Sequence, residues 1–291
     1  MIPGRFDYHA PSTVDEALAL MAQHGDDAKL LAGGHSLIPA MRFRLAQPAV
    51  LIDLNRLDGL RYVREDGNAL AIGAMTPEVL IEESDVVRRS YALLRDAAQV
   101  IADPLVRNRG TVGGNLAHAD PANDHPAVML AYGASLVATG PKGKRTIAID
   151  DFFKGLFENA LEPGEMLTEI RIPKPGAGSG GAYEKLERKV GDYATSAVAV
   201  QLTMNGGTIS GVRIGLTNVN PVPMRAVKAE AALAGKALSD ASLEAAGQAA
   251  AAECEPSADL RGSVDYKRDV TRVLTKRAIQ RAVARAQGKS V

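Results

Sequence analysis

The hydrophobic pattern opens with a helix. Val14, Ala17, Leu18, Met21 and Ala22 recur at helical spacing, and Gly25 ends the run. Thr13 and Glu16 in Ser12-Thr13-Val14-Asp15-Glu16 suit a capping box at its start. Two short apolar stretches, Lys29 to Ala32 and Val50 to Leu54, lie on either side of a break at Gly33-Gly34. Residues 1–56 therefore form a small α/β unit of helix, strand, glycine turn and strand. From Leu60 the pattern changes: Arg61 to Arg64 and Ala69 to Gly73 predict paired strands around Asp66-Gly67-Asn68. Thr76-Pro77 places a cap and an N1 proline before a helix, and Val86 to Ile101 predicts one further continuous helix. Ala127 to Ala131 gives a helical turn or two. Leu136 to Thr139 and Arg145 to Ile149 make a hairpin over Pro141-Lys142-Gly143, and Met166 to Ile172 is a strand ended by Pro173.

The run Pro173-Lys174-Pro175-Gly176-Ala177-Gly178-Ser179-Gly180-Gly181 marks the clearest boundary and is expected to be a linker. It matches G-x-G-x-x-G formally, but Pro-Lys-Pro separates it from the preceding strand, and Tyr183-Glu184-Lys185-Leu186 alternates as a strand does. No helix N-terminus faces a phosphate there. Beyond it, Ala197 to Met204 and Thr208 to Leu216 pair around Asn205-Gly206-Gly207. Helices follow at Arg225 to Leu233, Ser239 to Cys254 and Val264 to Ala286. The expected division is 1–56, 57–175 and 176–291.

Composition narrows the function classes. The chain is 46% apolar and 23% charged, a globular balance. Its 34 Lys+Arg against 34 Asp+Glu remove the net attraction on which nonspecific nucleic-acid binding relies. No stretch approaches the roughly 20 apolar residues of a membrane span, and MIPGRFDYHA lacks a secretory apolar core, so a cytoplasmic location is expected. Cys254 is the only cysteine, which excludes a disulfide framework, a cysteine-bound zinc and an iron–sulfur cluster held by this chain. In AAAECEP it suits a small buried hydrophobe.

Two segments carry the candidate chemistry. Ala32-Gly33-Gly34-His35-Ser36 ends an apolar strand, and Arg109-Gly110-Thr111-Val112-Gly113-Gly114-Asn115 follows a helix and an Asp103-Pro104 turn. Paired glycines suit places where φ is positive or another group touches the backbone. A Gly-Gly turn also aims successive N–H groups into a concavity that holds anions such as diphosphates. Ser36, Thr111 and Asn115 add side-chain donors. Neither segment is a Walker loop, because no Gly-Lys-Ser/Thr follows. His118, Asp120, Asp124 and His125 lie close in sequence, but Pro121 and Pro126 break any ligand register, so no metal is expected. No nucleophile elbow is present, and no catalytic acid or base for substrate chemistry is assigned.

Thr111-Val112-Gly113-Gly114-Asn115, continued through Pro121-Ala122-Asn123-Asp124, resembles the T/S-x-G-G-N…P-x-x-D element of flavoprotein subunits in the xanthine dehydrogenase family. Leu31 to Pro39 with Met41-Arg42-Phe43-Arg44 is similar, within that family, to the flavin subunits of aerobic molybdenum CO dehydrogenases. The likeness covers nearly the whole chain, including Gly191-Asp192-Tyr193-Ala194. It implies an α+β fold: a two-subdomain FAD-binding domain of the vanillyl-alcohol-oxidase (PCMH) type, then a C-terminal domain of antiparallel sheet and helices. FAD would lie between the two N-terminal subdomains, its diphosphate on Ala32, Gly33, Gly34, His35 and Ser36 and on Thr111, Val112, Gly113, Gly114 and Asn115. Asp124 would accept from adenosine-side hydroxyls, or simply cap a helix. Ile101 would pack near the isoalloxazine, or be a core residue at a helix end. Leu167 and Lys185 match cofactor-contacting positions; from the residues alone they are core and solvated strand. Tyr193 would cover the flavin ring, or stand as an exposed loop aromatic, and His35 would donate to the diphosphate or only orient its loop.

The resemblance further implies an electron-transfer subunit in a three-subunit molybdenum hydroxylase, with an iron–sulfur small subunit and a molybdenum-cofactor large subunit, assembled as a dimer of heterotrimers. Electrons would pass to an external acceptor such as a quinone, and partners could bring the complex to the inner face of the membrane. A flavin subunit for aldehydes or N-heterocycles, a stand-alone flavin oxidoreductase, and a scaffold without cofactor are the alternatives.

Overall fold

The computed structural model describes residues 2–289. Its first layer is a parallel sheet. β1 (Asp7–His9), α1 (Val14–His24), β2 (Ala28–Leu31), α2 (Leu37–Arg42) and β3 (Val50–Asp53) form a three-stranded unit ordered β1-β3-β2. Thr13 caps α1 by accepting from the Glu16 N–H. Ala17, Ile52, Leu54 and Leu57 make its core, joined by Met75 and Met166 from the next layer.

The second layer is antiparallel. β4 (Val63–Asp66), β5 (Ala69–Gly73), β6 (Ser135–Gly140), β7 (Gly143–Ala148) and β10 (Met166–Pro173) pair in the order β4-β5-β10-β6-β7. Between β5 and β6 lie α3 (Glu78–Glu83), α4 (Asp85–Ser90), α5 (Ala92–Val100), α6 (Pro104–Arg107), α7 (Val112–His118) and α8 (Asp124–Tyr132). A two-stranded flap, β8 (Phe153–Gly155) with β9 (Glu158–Asn159), precedes β10.

Several local expectations need correction here. Proline stands at the N-cap of α3, not at N1, because the Thr76 hydroxyl is held by the Tyr62 backbone. The helix expected over 86–101 is two helices, broken at Tyr91, whose ring is fully buried and meets Tyr132 edge-on at 6.1 Å. Asp103-Pro104 is no mere turn: Asp103 caps α6 with proline at N1. α8 spans nine residues, all buried, because it lies between the second sheet and the C-terminal domain.

The C-terminal domain is β11 (Ser179–Leu186), β12 (Ser196–Asn205), β13 (Thr208–Thr217) and β14 (Met224–Arg225) in that order, backed by α9 (Val227–Leu233), α10 (Asp240–Glu253) and α11 (Val264–Ala286). The glycine-rich boundary is shorter than expected. Gly180 and Gly181 belong to β11, where a Cβ on Gly180 would sit 2.0 Å from the Ala282 carbonyl of α11. Those glycines therefore serve close helix–strand packing. Cys254 is buried, bonds the Ala250 carbonyl and has its thiol pushed up to about 12 by burial, as suits a core residue.

Candidate functional site

In a parallel sheet, the open ground lies beyond the carboxyl ends of the strands. β2 delivers the chain there at Leu31, and Ala32 to Ser36 turn across it. Gly34 has φ +77°, a left-handed conformation that glycine adopts without strain. The ring nitrogen Nδ1 of His35 bonds the Gly33 carbonyl at 2.9 Å, and Asn55 Nδ2 donates to the Ala32 carbonyl at 2.9 Å. His35 thus braces the turn. Among the described residues, the N–H groups of Gly34, His35 and Ser36 have no protein acceptor.

The second glycine segment meets this turn in space. A Cβ on Gly33 would stand 2.1 Å from the Arg109 carbonyl oxygen and 2.8 Å from Gly110 Cα, and one on Gly114 would stand 3.3 Å from Ala32 Cβ. The absent side chains are what let two remote segments touch.

The second segment is nevertheless not a glycine turn. Gly113 and Gly114 lie in the first turn of α7, and neither has positive φ. Its early N–H groups are engaged within the protein: Val112 donates to Thr76 O, Gly113 to Ala74 O, and Gly114 to the Thr111 hydroxyl that caps the helix. Gly113 is small because a Cβ would strike Ala74 at 2.5 Å. This segment therefore offers the cleft its side chains at Thr111 and Asn115 and the smooth face of Gly114, not a row of free amides. Asn115 Oδ1 is buried with no protein partner, which is how a group aimed at a ligand looks.

Both segments line one cleft of about 710 Å³, within the range of small-molecule and cofactor sites. Ala32 to Ser36, Thr111, Gly113, Gly114, Asn115, Ile101, Asp124, Leu167 and Tyr193 all line it. Val112 and Lys185 do not: Val112 is fully buried in the core, and Lys185 acts from behind. Lys185 Nζ donates to Asp124 Oδ2 at 3.1 Å and to the Val100 carbonyl at 3.0 Å. One ammonium thus ties Asp124 to the end of α5, so Asp124 and Ile101 share one end of the cleft. Asp124 is N1 of α8, with Asn123 at the N-cap. Tyr183 Oη donates to Asp124 Oδ1 at 2.5 Å. Burial raises the Asp124 pKa, opposed by Lys185 and Tyr183.

Sequence reasoning missed Glu78, Phe157, Leu161 and Asp192, which also line the cleft. Glu78 sits at the start of α3, and its Oε2 lies 2.7 Å from His125 Nε2, both groups almost fully buried. Burial lowers the imidazolium pKa, but the carboxylates of Glu78 and Asp124 outweigh it and leave His125 above its ordinary 6.5. A raised folded-state pKa stabilises fully below the unfolded value and is lost as pH rises through the folded one. Urea unfolding measured at pH 6 and again at alkaline pH is expected to show stability falling in the native protein and falling less in His125→Gln. Equal slopes would refute the pair's contribution.

Comparisons with known proteins agree with this architecture. Residues 4–175 match the family described as FAD binding domain in molybdopterin dehydrogenase, and residues 181–282 match the CO dehydrogenase flavoprotein C-terminal domain. The carbon monoxide dehydrogenase medium chain of Hydrogenophaga pseudoflava is 51% identical over 98% of this chain and 99% of its own length. The medium chain from Afipia carboxidovorans is 47% identical over 99% of this chain and 100% of its own. A solved carbon monoxide dehydrogenase from Hydrogenophaga pseudoflava, in a form lacking the Mo-pyranopterin moiety, superposes with a TM-score of 0.96 at 54% identity, covering 98% of this chain and 99% of the other. A flavoprotein fold of two cofactor-facing subdomains and a third domain, shared along its full length with these proteins, places the chain in the medium-chain family of the carbon monoxide dehydrogenase type of molybdopterin dehydrogenases.

Proposed function

We propose that this chain is the FAD-carrying electron-transfer subunit of a three-subunit molybdenum hydroxylase of the carbon monoxide dehydrogenase type. The carrying observation is the backbone contact between Gly33 and Arg109, which sets two small-residue segments against each other along one wall of the cleft. FAD fits what is present: unengaged amides at Gly34 to Ser36, an orphaned carboxamide oxygen on Asn115, and an apolar recess at Ile101 and Leu167. When bound, the flavin supplies exchange between one-electron and two-electron carriers.

The protein's own residues bind, orient and screen it. Gly34, His35 and Ser36 would hold the diphosphate through their N–H groups, the Thr111 hydroxyl and Asn115 Nδ2 would add donors, and the unpartnered Asn115 Oδ1 would accept from a cofactor O–H or N–H. Lys185 and Tyr183 fix the Asp124 carboxylate, which would accept from hydroxyls of the cofactor, and Ile101 would pack against its ring. Tyr193 stands at the mouth, 43% exposed, as a cover. Electrons would come from clusters in an iron–sulfur partner and, before that, from a molybdenum subunit. The acceptor is an external oxidant such as a quinone, and the assembly a dimer of heterotrimers at the cytoplasmic side. No helix among the described residues is long and apolar enough to cross a membrane, so membrane proximity would come through partners.

The test is co-expression with the cluster-binding and molybdenum subunits. Near-stoichiometric FAD, reduced by substrate only when all three chains are present, is expected. A complex that assembles yet carries no flavin would end this reading. Turnover by the isolated chain would favour a stand-alone oxidoreductase.

A further inference from the structure

The cleft's cover is held from outside by a part of the fold far from it in sequence. Tyr193 lies late in the loop between β11 and β12, and its position is built from both sides. On the inner side, Gly191 has φ +84° and packs against the 101–103 segment; a Cβ there would sit 2.9 Å from the Ala102 carbonyl. Ala102 is itself left-handed at φ 48°, and Arg107 secures it by donating to the Ile101 and Ala102 carbonyls. On the outer side stands Arg261, from the loop between α10 and α11. Its Nη2 donates to Asp192 Oδ1 at 2.7 Å, its Nε donates to the Tyr193 carbonyl at 3.2 Å, and its guanidinium carbon lies 5.6 Å from the Tyr193 ring centre. Arg188 adds a second stitch, donating to Asp192 Oδ2 and to the Leu260 carbonyl.

Arg261 is in turn anchored. Its N–H donates to Asp259 Oδ1, and Asp259 closes a tight loop onto Gly262 through backbone bonds at 3.1 and 3.3 Å. The other carboxylate oxygen of Asp259 accepts from Lys267 Nζ at 2.8 Å. Lys267 is only 1% exposed, within α11. A buried ammonium is costly without a carboxylate, so the ion pair fixes the loop to the domain core. The path from Lys267 through Asp259 and Arg261 to Asp192 and Tyr193 is one of directional, charge-assisted contacts.

The geometry points to Arg261 as a positioning residue: with Asp259 and Lys267 it clamps Tyr193 at the cleft mouth and so sets how far the bound flavin is open to solvent and small acceptors. Arginine suits the task because its planar fork can bond a carboxylate and a carbonyl while lying over a ring, which an ammonium cannot do. The role in covering flavin rests on the function proposed above; the clamp itself does not.

The experiment compares the assembled complex carrying the native chain, Arg261→Ala, Arg261→Lys and the exposed control Leu260→Ala. Two readouts are taken: hydrogen exchange of the Gly191, Asp192 and Tyr193 amides, and iodide quenching of flavin fluorescence. Loss of the fork is expected to speed exchange there about tenfold and to raise iodide quenching, with lysine recovering part of the protection and Leu260→Ala matching the native chain. Exchange within twofold of native in Arg261→Ala, or an equal rise in Leu260→Ala, overturns the clamp. If Arg261→Ala were to disturb assembly, Asp259→Asn tests the same path one link away and must accelerate the same three amides. A native complex without flavin defeats the proposed function, while the exchange arm still decides the clamp.

Discussion

Replacing Gly33 by alanine is expected to strip the flavin from the assembled complex while leaving the chain folded. The added methyl has no rotamer by which to escape. It would lie 2.1 Å from the Arg109 oxygen and 2.8 Å from both the Arg109 carbonyl carbon and Gly110 Cα, all backbone atoms, so the two segments must part by about an ångström. Overpacking of this kind costs stability on the order of 1–3 kcal/mol, which a chain with three separate cores can carry. Ligand geometry is less forgiving, because the Gly34, His35 and Ser36 amides move with Gly33 and each hydrogen bond to a charged group is worth about 1.5–3 kcal/mol. Flavin retention, read by absorbance against protein after gel filtration, is therefore expected to fall by at least about tenfold in affinity. Gly114→Ala meets side-chain atoms, Thr111 Oγ1 at 2.7 Å and Ala32 Cβ at 3.3 Å, and is expected to lose less. Gly59→Ala, with open space around it, serves as the control. Full flavin content in Gly33→Ala would show that the contact between the segments does not shape the site.

The second large effect concerns the joint between the flavin-facing domain and the C-terminal domain. Asp96 on α5 is 8% exposed and accepts from Arg285 at 2.6 and 3.0 Å, from Arg281 at 3.1 Å and from the Tyr183 N–H at 3.2 Å. Asp96→Ala removes the carboxylate that two guanidinium groups of α11 share. Breaking a buried pair from one side costs about 3–5 kcal/mol. The arginines retain some access to water, with Arg281 and Arg285 side chains 32% and 17% exposed, which places the expected loss near the lower end, about 3 kcal/mol. In thermal unfolding this is a fall of about 6 °C or more. Because β11 carries both Tyr183 and Lys185, the partners of Asp124, flavin retention should weaken in parallel. A change under about 1 kcal/mol would mean that the packing of α11 on β11, not the ionic joint, holds the domains together.

The elements that were legible in the sequence are those whose cause is local. α1, the hairpins of β6 with β7 and of β12 with β13, and the three C-terminal helices are set by periodicity, caps and turn residues. The strand β1 escaped notice because Asp7–His9 is three residues long and pairs with β3, more than forty positions away. The helix α7 was obscured by Gly113 and Gly114, poor helix formers that a Thr111 cap and contact with Ala74 hold in place. Tyr91 broke a helix that periodicity alone would continue, since its buried ring requires the chain to turn.

The candidate site divides along the same line. The small residues, the hydroxyls and the order Thr111-Val112-Gly113-Gly114-Asn115 stand in the sequence itself, and so does the family they resemble. That Gly33 touches Arg109, that the α7 amides are already engaged, that Lys185 lies behind Asp124, and that Arg261 reaches Tyr193 were decided only by the tertiary structure. Local chemistry sets what each segment can offer. Which segments meet depends on how three packed cores dispose them, and contacts between positions far apart along the chain leave no periodic trace in either partner.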